Sequence, residues 1–93
     1  MFKLIPTTQF KKDLKKIKKQ SGTNFTSISG FLEVLQLDGA LGINKKHKAH
    51  KLTGNYKGNW EAHIKPDLLI IWFEINEAQE IILLRVGSHS ELF

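Results

Sequence analysis

Six consecutive apolar residues, Leu68-Leu69-Ile70-Ile71-Trp72-Phe73, constrain this chain more than any other segment. Successive side chains of a strand point to opposite faces, so a run without alternation is apolar on both. Such a strand belongs inside a sheet that is covered on each side. The rest of a 93-residue chain has to supply both covers. That length fits one domain, residues 1–93, near the lower end of what buries a self-sufficient core. With no cysteine, neither a disulfide nor a thiolate metal site can help. The run is far too short to cross a bilayer. Met1 to Pro6 lacks the apolar stretch of a secretory signal, so the expectation is a cytoplasmic protein with no membrane partner.

The flanking patterns indicate where the covers come from. Phe2 to Ile5 predicts a short first strand stopped by Pro6. Thr7 or Thr8 offers an N-cap for a helix to about Gln20. Within it Phe10, Leu14 and Ile17 form one apolar stripe, and Lys11, Lys12, Lys15, Lys16, Lys18 and Lys19 take the other faces. A second helix is expected from about Asn24 to Leu37, with Phe25, Ile28, Leu32 and Leu35 buried and Asp38-Gly39 as its stop. The short turn between them predicts an antiparallel helical hairpin. Gly39 to Gly54 is polar, basic and aperiodic, and reads as a surface loop.

After Gly54 the period switches to two. Tyr56, Trp60, Ala62 and Ile64 make an apolar strand face, while Lys57, Asn59, Glu61, His63 and Lys65 make a polar one. Pro66-Asp67 turns into the apolar run, Asn76 to Gln79 closes a hairpin, and Ile81 to Val86 is the last strand. The order β-α-α-β-β-β predicts an α+β domain with the helical hairpin packed on one face of the sheet.

Fourteen Lys and Arg against nine acidic residues give a net charge of +5, which favours a polyanionic partner. Thirteen of these cations are lysines. The single arginine, Arg85, stands in an otherwise apolar strand, where a cation is not placed for stability alone; an ion pair with Glu61 or Asp67 is its structural explanation. His50 ends the basic loop, His63 lies on the polar strand face beside Glu61, and His89 follows the last strand. Separately these are ordinary: a solvated loop residue, a cross-strand partner and a chain-end residue. His47-x-x-His50 could pair on a metal, but without cysteine or an evident third ligand neither a metal nor a cofactor is expected. If the set converges on the sheet face that the helices leave open, it is an inventory for cutting RNA. An imidazole takes the 2′-OH proton, a second acid protonates the departing 5′-oxygen, and a guanidinium meets the charge building on phosphate.

Three stretches carry a resemblance. His50-Lys51-Leu52-Thr53-Gly54-Asn55-Tyr56-Lys57-Gly58, Glu61-Ala62-His63-Ile64-Lys65-Pro66-Asp67 and Leu84-Arg85-Val86-Gly87-Ser88-His89-Ser90-Glu91-Leu92-Phe93 together resemble the YafQ branch of the RelE/ParE toxin superfamily. The first half of the chain is similar only in architecture. The resemblance implies a toxin of a type II toxin–antitoxin pair, an endoribonuclease that cleaves mRNA in the ribosomal A site. It also implies a microbial-RNase-like fold with helices on a strongly twisted antiparallel sheet. Catalytic positions fall on His50, His63, His89 and Asp67, with His89 as general acid and the others sharing base and positioning roles. The phosphate-facing position falls on Arg85. Phe93 and Glu61 are expected at the substrate, Phe93 by stacking on a base. Asn55 stands where some relatives carry Lys, which bears on rate and sequence preference. The implied partners are an antitoxin that buries the site, mRNA with the ribosome, and operator DNA only for the toxin–antitoxin complex. A non-enzymatic inhibitor like the gyrase-directed ParE branch, or a basic nucleic-acid-binding module, is the alternative. Three histidines with Arg85 weigh against it, since a binding surface needs no titrating groups there.

Overall fold

A computed structural model describes residues 1–93, with every side chain except that of Asn55, so the Asn55 substitution lies outside the described residues. The apolar run forms most of β4 (Leu68–Ile75), between β3 (Trp60–Lys65) and β5 (Glu80–Gly87), both antiparallel to it. Leu68 through Trp72 are all buried, as a strand covered on both faces requires. The five-stranded sheet has the order β1-β5-β4-β3-β2, where β1 is Lys3–Pro6 and β2 is His50–Lys51.

Two expectations need correction. The sheet is mixed rather than antiparallel throughout, because β1 runs parallel to β5, from Lys3 opposite Glu80 to Pro6 opposite Leu83. Nearly the whole chain separates the two strands, so no hairpin dictates an antiparallel pairing. Pro6 is tolerated because β1 is an edge strand. The stretch from Gly39 to Gly54 is also more ordered than a loop. It holds short helical turns at Gly39–Gly42 and Lys45–His47, then β2, which lies opposite Trp60 and Glu61. A third such turn, Gly54–Tyr56, takes Tyr56 out of β3.

Helix α1 (Thr8–Gln20) begins where Thr7 Oγ1 accepts from the Phe10 N–H at 3.2 Å. Ser21 ends it and caps α2 (Gly22–Asp38), its Oγ accepting from the Asn24 N–H, so α2 starts two residues earlier than its apolar stripe suggests. Its fully buried residues are Ile28, Phe31 and Leu35. Phe25 and Leu32 are half-buried, Phe25 lying under the Lys18 ammonium at 5.2 Å. Phe31 displaces them because its ring meets Trp72 and His47 edge-on, at 6.0 and 5.3 Å between centroids. Gly39 closes α2 in the left-handed region (φ 69°), and a Cβ there would stand 3.0 Å from the Phe2 ring.

The covers of the sheet are unequal. On the helical side Phe10, Ile28 and Leu35 pack with Ile70, Trp72, Ile81 and Val86. On the other side, among the described residues, the apolar cover of Leu69 and Ile71 is Leu92 of α3 (His89–Leu92) with half-buried Leu52, Tyr56 and Leu84. Truncating the thick core should therefore be severe. Ile28→Ala is expected to cost about 2–5 kcal/mol in denaturant unfolding, while Leu41→Ala, at a residue 93% exposed, should stay within about 0.5 kcal/mol.

Candidate active site

The thin cover leaves part of the second sheet face open, and strand register decides what stands on it. His50 lies opposite Glu61, Glu61 opposite Ile71, and Ile71 opposite Arg85. These four form one row across β2, β3, β4 and β5, a span of roughly 14 Å at ~4.8 Å per strand. His63, two residues beyond Glu61 and opposite Leu69, lies on the same face in the next row.

Within that row Glu61 is the pivot. It is only 6% exposed, and one carboxylate oxygen, Oε1, lies 3.5 Å from His50 Nε2 and 3.7 Å from His63 Nε2. Glu61, expected at the substrate, is thus far less exposed than the two imidazoles beside it. The other nitrogen of His50, Nδ1, sits 2.7 Å from the carbonyl oxygen of Lys48. A carbonyl only accepts, so Nδ1 carries a proton and Nε2 is directed at Glu61.

The chain end brings the third histidine. Ser88 caps α3 reciprocally with Glu91: Ser88 Oγ accepts from the Glu91 N–H, and Glu91 Oε1 accepts from the Ser88 N–H at 2.9 Å. Asp67 Oδ1, from the β3–β4 turn, accepts from the His89 N–H at 3.1 Å. Lys16 of α1 reaches Glu91 Oε2 at 2.7 Å, so the short helix is tied down from both sides. The Phe93 ring lies 5.1 Å from that of His89 and 5.6 Å from that of Tyr56. Hydrogen bonds, first from Lys16 and then from Ser88, hold the Glu91 carboxyl down at about 2.

Arg85 pairs with neither Glu61 nor Asp67. Its Nε and Nη2 donate to the Asp13 carboxylate of α1 at 2.8 and 3.3 Å. The same carboxylate accepts from the Val86 N–H at 3.1 Å, beyond the point where β1 stops pairing with β5. Asp13 thus replaces a missing strand partner and fixes the guanidinium, whose pKa that hydrogen bond pushes up. Sequence reasoning missed Asp13, although it is the only acid in a lysine-rich helix and lies between Phe10 and Ile17 on the inward side. The aligned face therefore carries imidazoles, a buried carboxylate and a fixed guanidinium, which can move protons and meet a phosphate.

Residues 2–93 match the family described as the bacterial toxin of the type II toxin–antitoxin system, YafQ. The mRNA interferase toxin YafQ of Escherichia coli (strain K12) is 28% identical over 85 residues, which cover 91% of this chain and 88% of that protein. A metal-bound toxin from Helicobacter pylori is similar at 33% identity and a TM-score of 0.86, with 100% of each chain covered. YafQ from E. coli strain BL21(DE3) is similar at 25% identity and a TM-score of 0.83, covering 100% of this chain and 99% of its own. Among the described residues here, no group of three or more His, Asp or Glu side chains is arranged to hold a metal ion. The His47 and His50 rings have separate partners, the His63 and Lys48 carbonyls.

Two outcomes follow from the tethers. Asp13→Ala strands a guanidinium and a backbone N–H, and should lower unfolding free energy by about 1–3 kcal/mol in a urea titration. Because the Glu91 carboxyl is depressed on folding, its contribution is present above the ordinary value of 4.5 and fades as pH falls towards about 2. The gap in Tm between wild type and Glu91→Gln should accordingly be constant above pH 5 and close below it; a constant gap down to pH 2 would contradict the tether.

Proposed function

The chain belongs to the YafQ family of bacterial type II toxin–antitoxin toxins, and from that membership we propose that it is an endoribonuclease cutting mRNA by acid–base catalysis. The observation that carries this reading is the single oxygen of buried Glu61 beside two imidazoles. When a ribose 2′-OH gives up its proton, the His50–His63 pair receives it, and the adjacent carboxylate stabilises the imidazolium that forms. The freed 2′-oxygen bonds to phosphorus and the bond to the 5′-oxygen breaks. His89, its backbone held by Asp67, returns a proton to that leaving oxygen. Arg85 faces the non-bridging oxygens, and Phe93 stacks on a flanking base. The products are a 2′,3′-cyclic phosphate and a free 5′-hydroxyl. On this reading the chain's own side chains handle each proton and the charge on the phosphate.

In this reading the protein works in the cytoplasm on mRNA in the ribosomal A site. Its silencing partner is the cognate antitoxin covering the same face, and operator DNA is met only through that complex. Among the described residues, no helix is long and apolar enough to cross a membrane.

The test is His89→Ala beside wild type. Loss of growth arrest and a fall in mRNA cleavage of about 10²–10⁴-fold are expected, with thermal unfolding close to unchanged because the His89 side chain is exposed. A folded variant that arrests growth as strongly as wild type would remove His89 from the chemistry.

A further inference from the structure

We propose that the cavity beside His63, lined by Lys46, Lys48 and Lys65, is a second phosphate-binding subsite that grips the RNA strand away from the bond being cut. The proposal rests on the RNA-cleaving reading above and adds a place for the neighbouring backbone of the substrate.

The cavity has a volume of about 520 Å³ and arises from the shortness of β2. That strand covers β3 only at Trp60 and Glu61, so beyond them the outer edge of β3 is faced by the turn Lys45–His47. His47 joins the two, its Nδ1 2.8 Å from the carbonyl oxygen of His63 while its ring packs edge-on against Phe31. The wall is therefore held from the core side. His63 borders both this cavity and the Glu61 cluster, so a strand lying across the cavity continues directly to the reacting groups.

Three lysines line the space, and among the described residues none of them is in an ion pair. Lys65 is steadied by a neutral partner, donating to Asn24 Oδ1 at 2.8 Å. A cluster of uncompensated lysines is repulsive in the free protein and is relieved by a polyanion, and lysine serves as a point-charge phosphate ligand. Arg85, by contrast, is already held by Asp13.

Lys48 adds an independent observation. It adopts the left-handed conformation, with φ 52° and ψ 42°, at the end of the Lys45–His47 turn. Glycine or asparagine is the economical residue there. The conformation itself has a use, since the Lys48 carbonyl accepts from His50 Nδ1. Glycine would preserve that hydrogen bond, so the fold gives no reason for a lysine side chain, and the cavity does.

The test separates the side chain from the backbone. Lys48→Gly, alone and with Lys46→Ala, is compared with wild type for binding to RNA made uncleavable by a 2′-O-methyl group at the scissile position. A dinucleotide containing only the scissile phosphate and a hexanucleotide extending on both sides serve as probes, with fluorescence anisotropy across a salt series as the readout. The expected result is a Tm equal to or above wild type for Lys48→Gly. Affinity for the hexanucleotide should fall several-fold, more steeply than for the dinucleotide, and the salt slope should shrink by about 0.7 for each phosphate that is no longer neutralised. An unchanged hexanucleotide affinity and salt slope, or an equal loss on both probes, overturns the subsite. Wild-type cleavage of unmodified mRNA on translating ribosomes is assayed in parallel: if none occurs the catalytic reading fails, whereas cleavage with indifferent lysine variants refutes the subsite alone.

Discussion

Everything in this small domain follows from the burial of β4 on both faces. A strand with Leu68 to Trp72 entirely out of water needs two covers, and 93 residues supply one of them generously and the other barely. The α1–α2 hairpin fills the first side with large side chains. The second side is closed mainly by Leu92, at the end of the single helical turn that follows β5, over Leu69 and Ile71. That economy places the site. Because Leu92 has to reach the sheet, His89 and Phe93 on either side of it are delivered to the rim of the same face, where Asp67 and Lys16 hold the short helix.

The charged groups on this face are anchored by the framework. Asp13 caps the unpaired stretch of β5 and fixes Arg85 with one carboxylate, so edge protection and guanidinium orientation are a single device. Glu61 is the opposite case, a buried carboxylate whose neighbours are imidazoles. Burial of a charge is tolerable only with compensating partners, and imidazole is the one partner that can take and release a proton near neutral pH. To one side of this cluster Lys46, Lys48 and Lys65 line the cavity beside His63, and among the described residues none of them is in an ion pair.

Much of this was legible in the residues. The apolar run as far as Trp72, the α1 stripe and the period-two face carrying Glu61 and His63 follow from side-chain direction alone; Phe73, at the end of the run, is exposed. Local pattern fails where partners are remote. No local signal distinguishes a parallel from an antiparallel β1, because its pairing with β5 spans almost the whole chain. A two-residue strand such as β2 has no period to detect and forms only because the edge of β3 is available. Phe31 replaces Phe25 in the core because Trp72 and His47 come to meet it. Asp13 was hidden by the assumption that a lysine-rich helix face is merely solvated, and the burial of Glu61 is not visible in a polar strand pattern. For Asp13 the partner, Arg85, lies 72 residues away and gives no local signal.

The central claim is that imidazoles on this face activate a ribose 2′-hydroxyl, so the chemistry leaves a mark on its product. The most direct measurement is the chemical identity of the ends left on mRNA when the protein is expressed without a partner. A 2′,3′-cyclic phosphate, or the 3′-phosphate into which it opens, opposite a 5′-hydroxyl is the predicted result. Fragments with a 3′-hydroxyl and a 5′-phosphate would show that water, not the neighbouring ribose, attacks phosphorus, and would contradict the account.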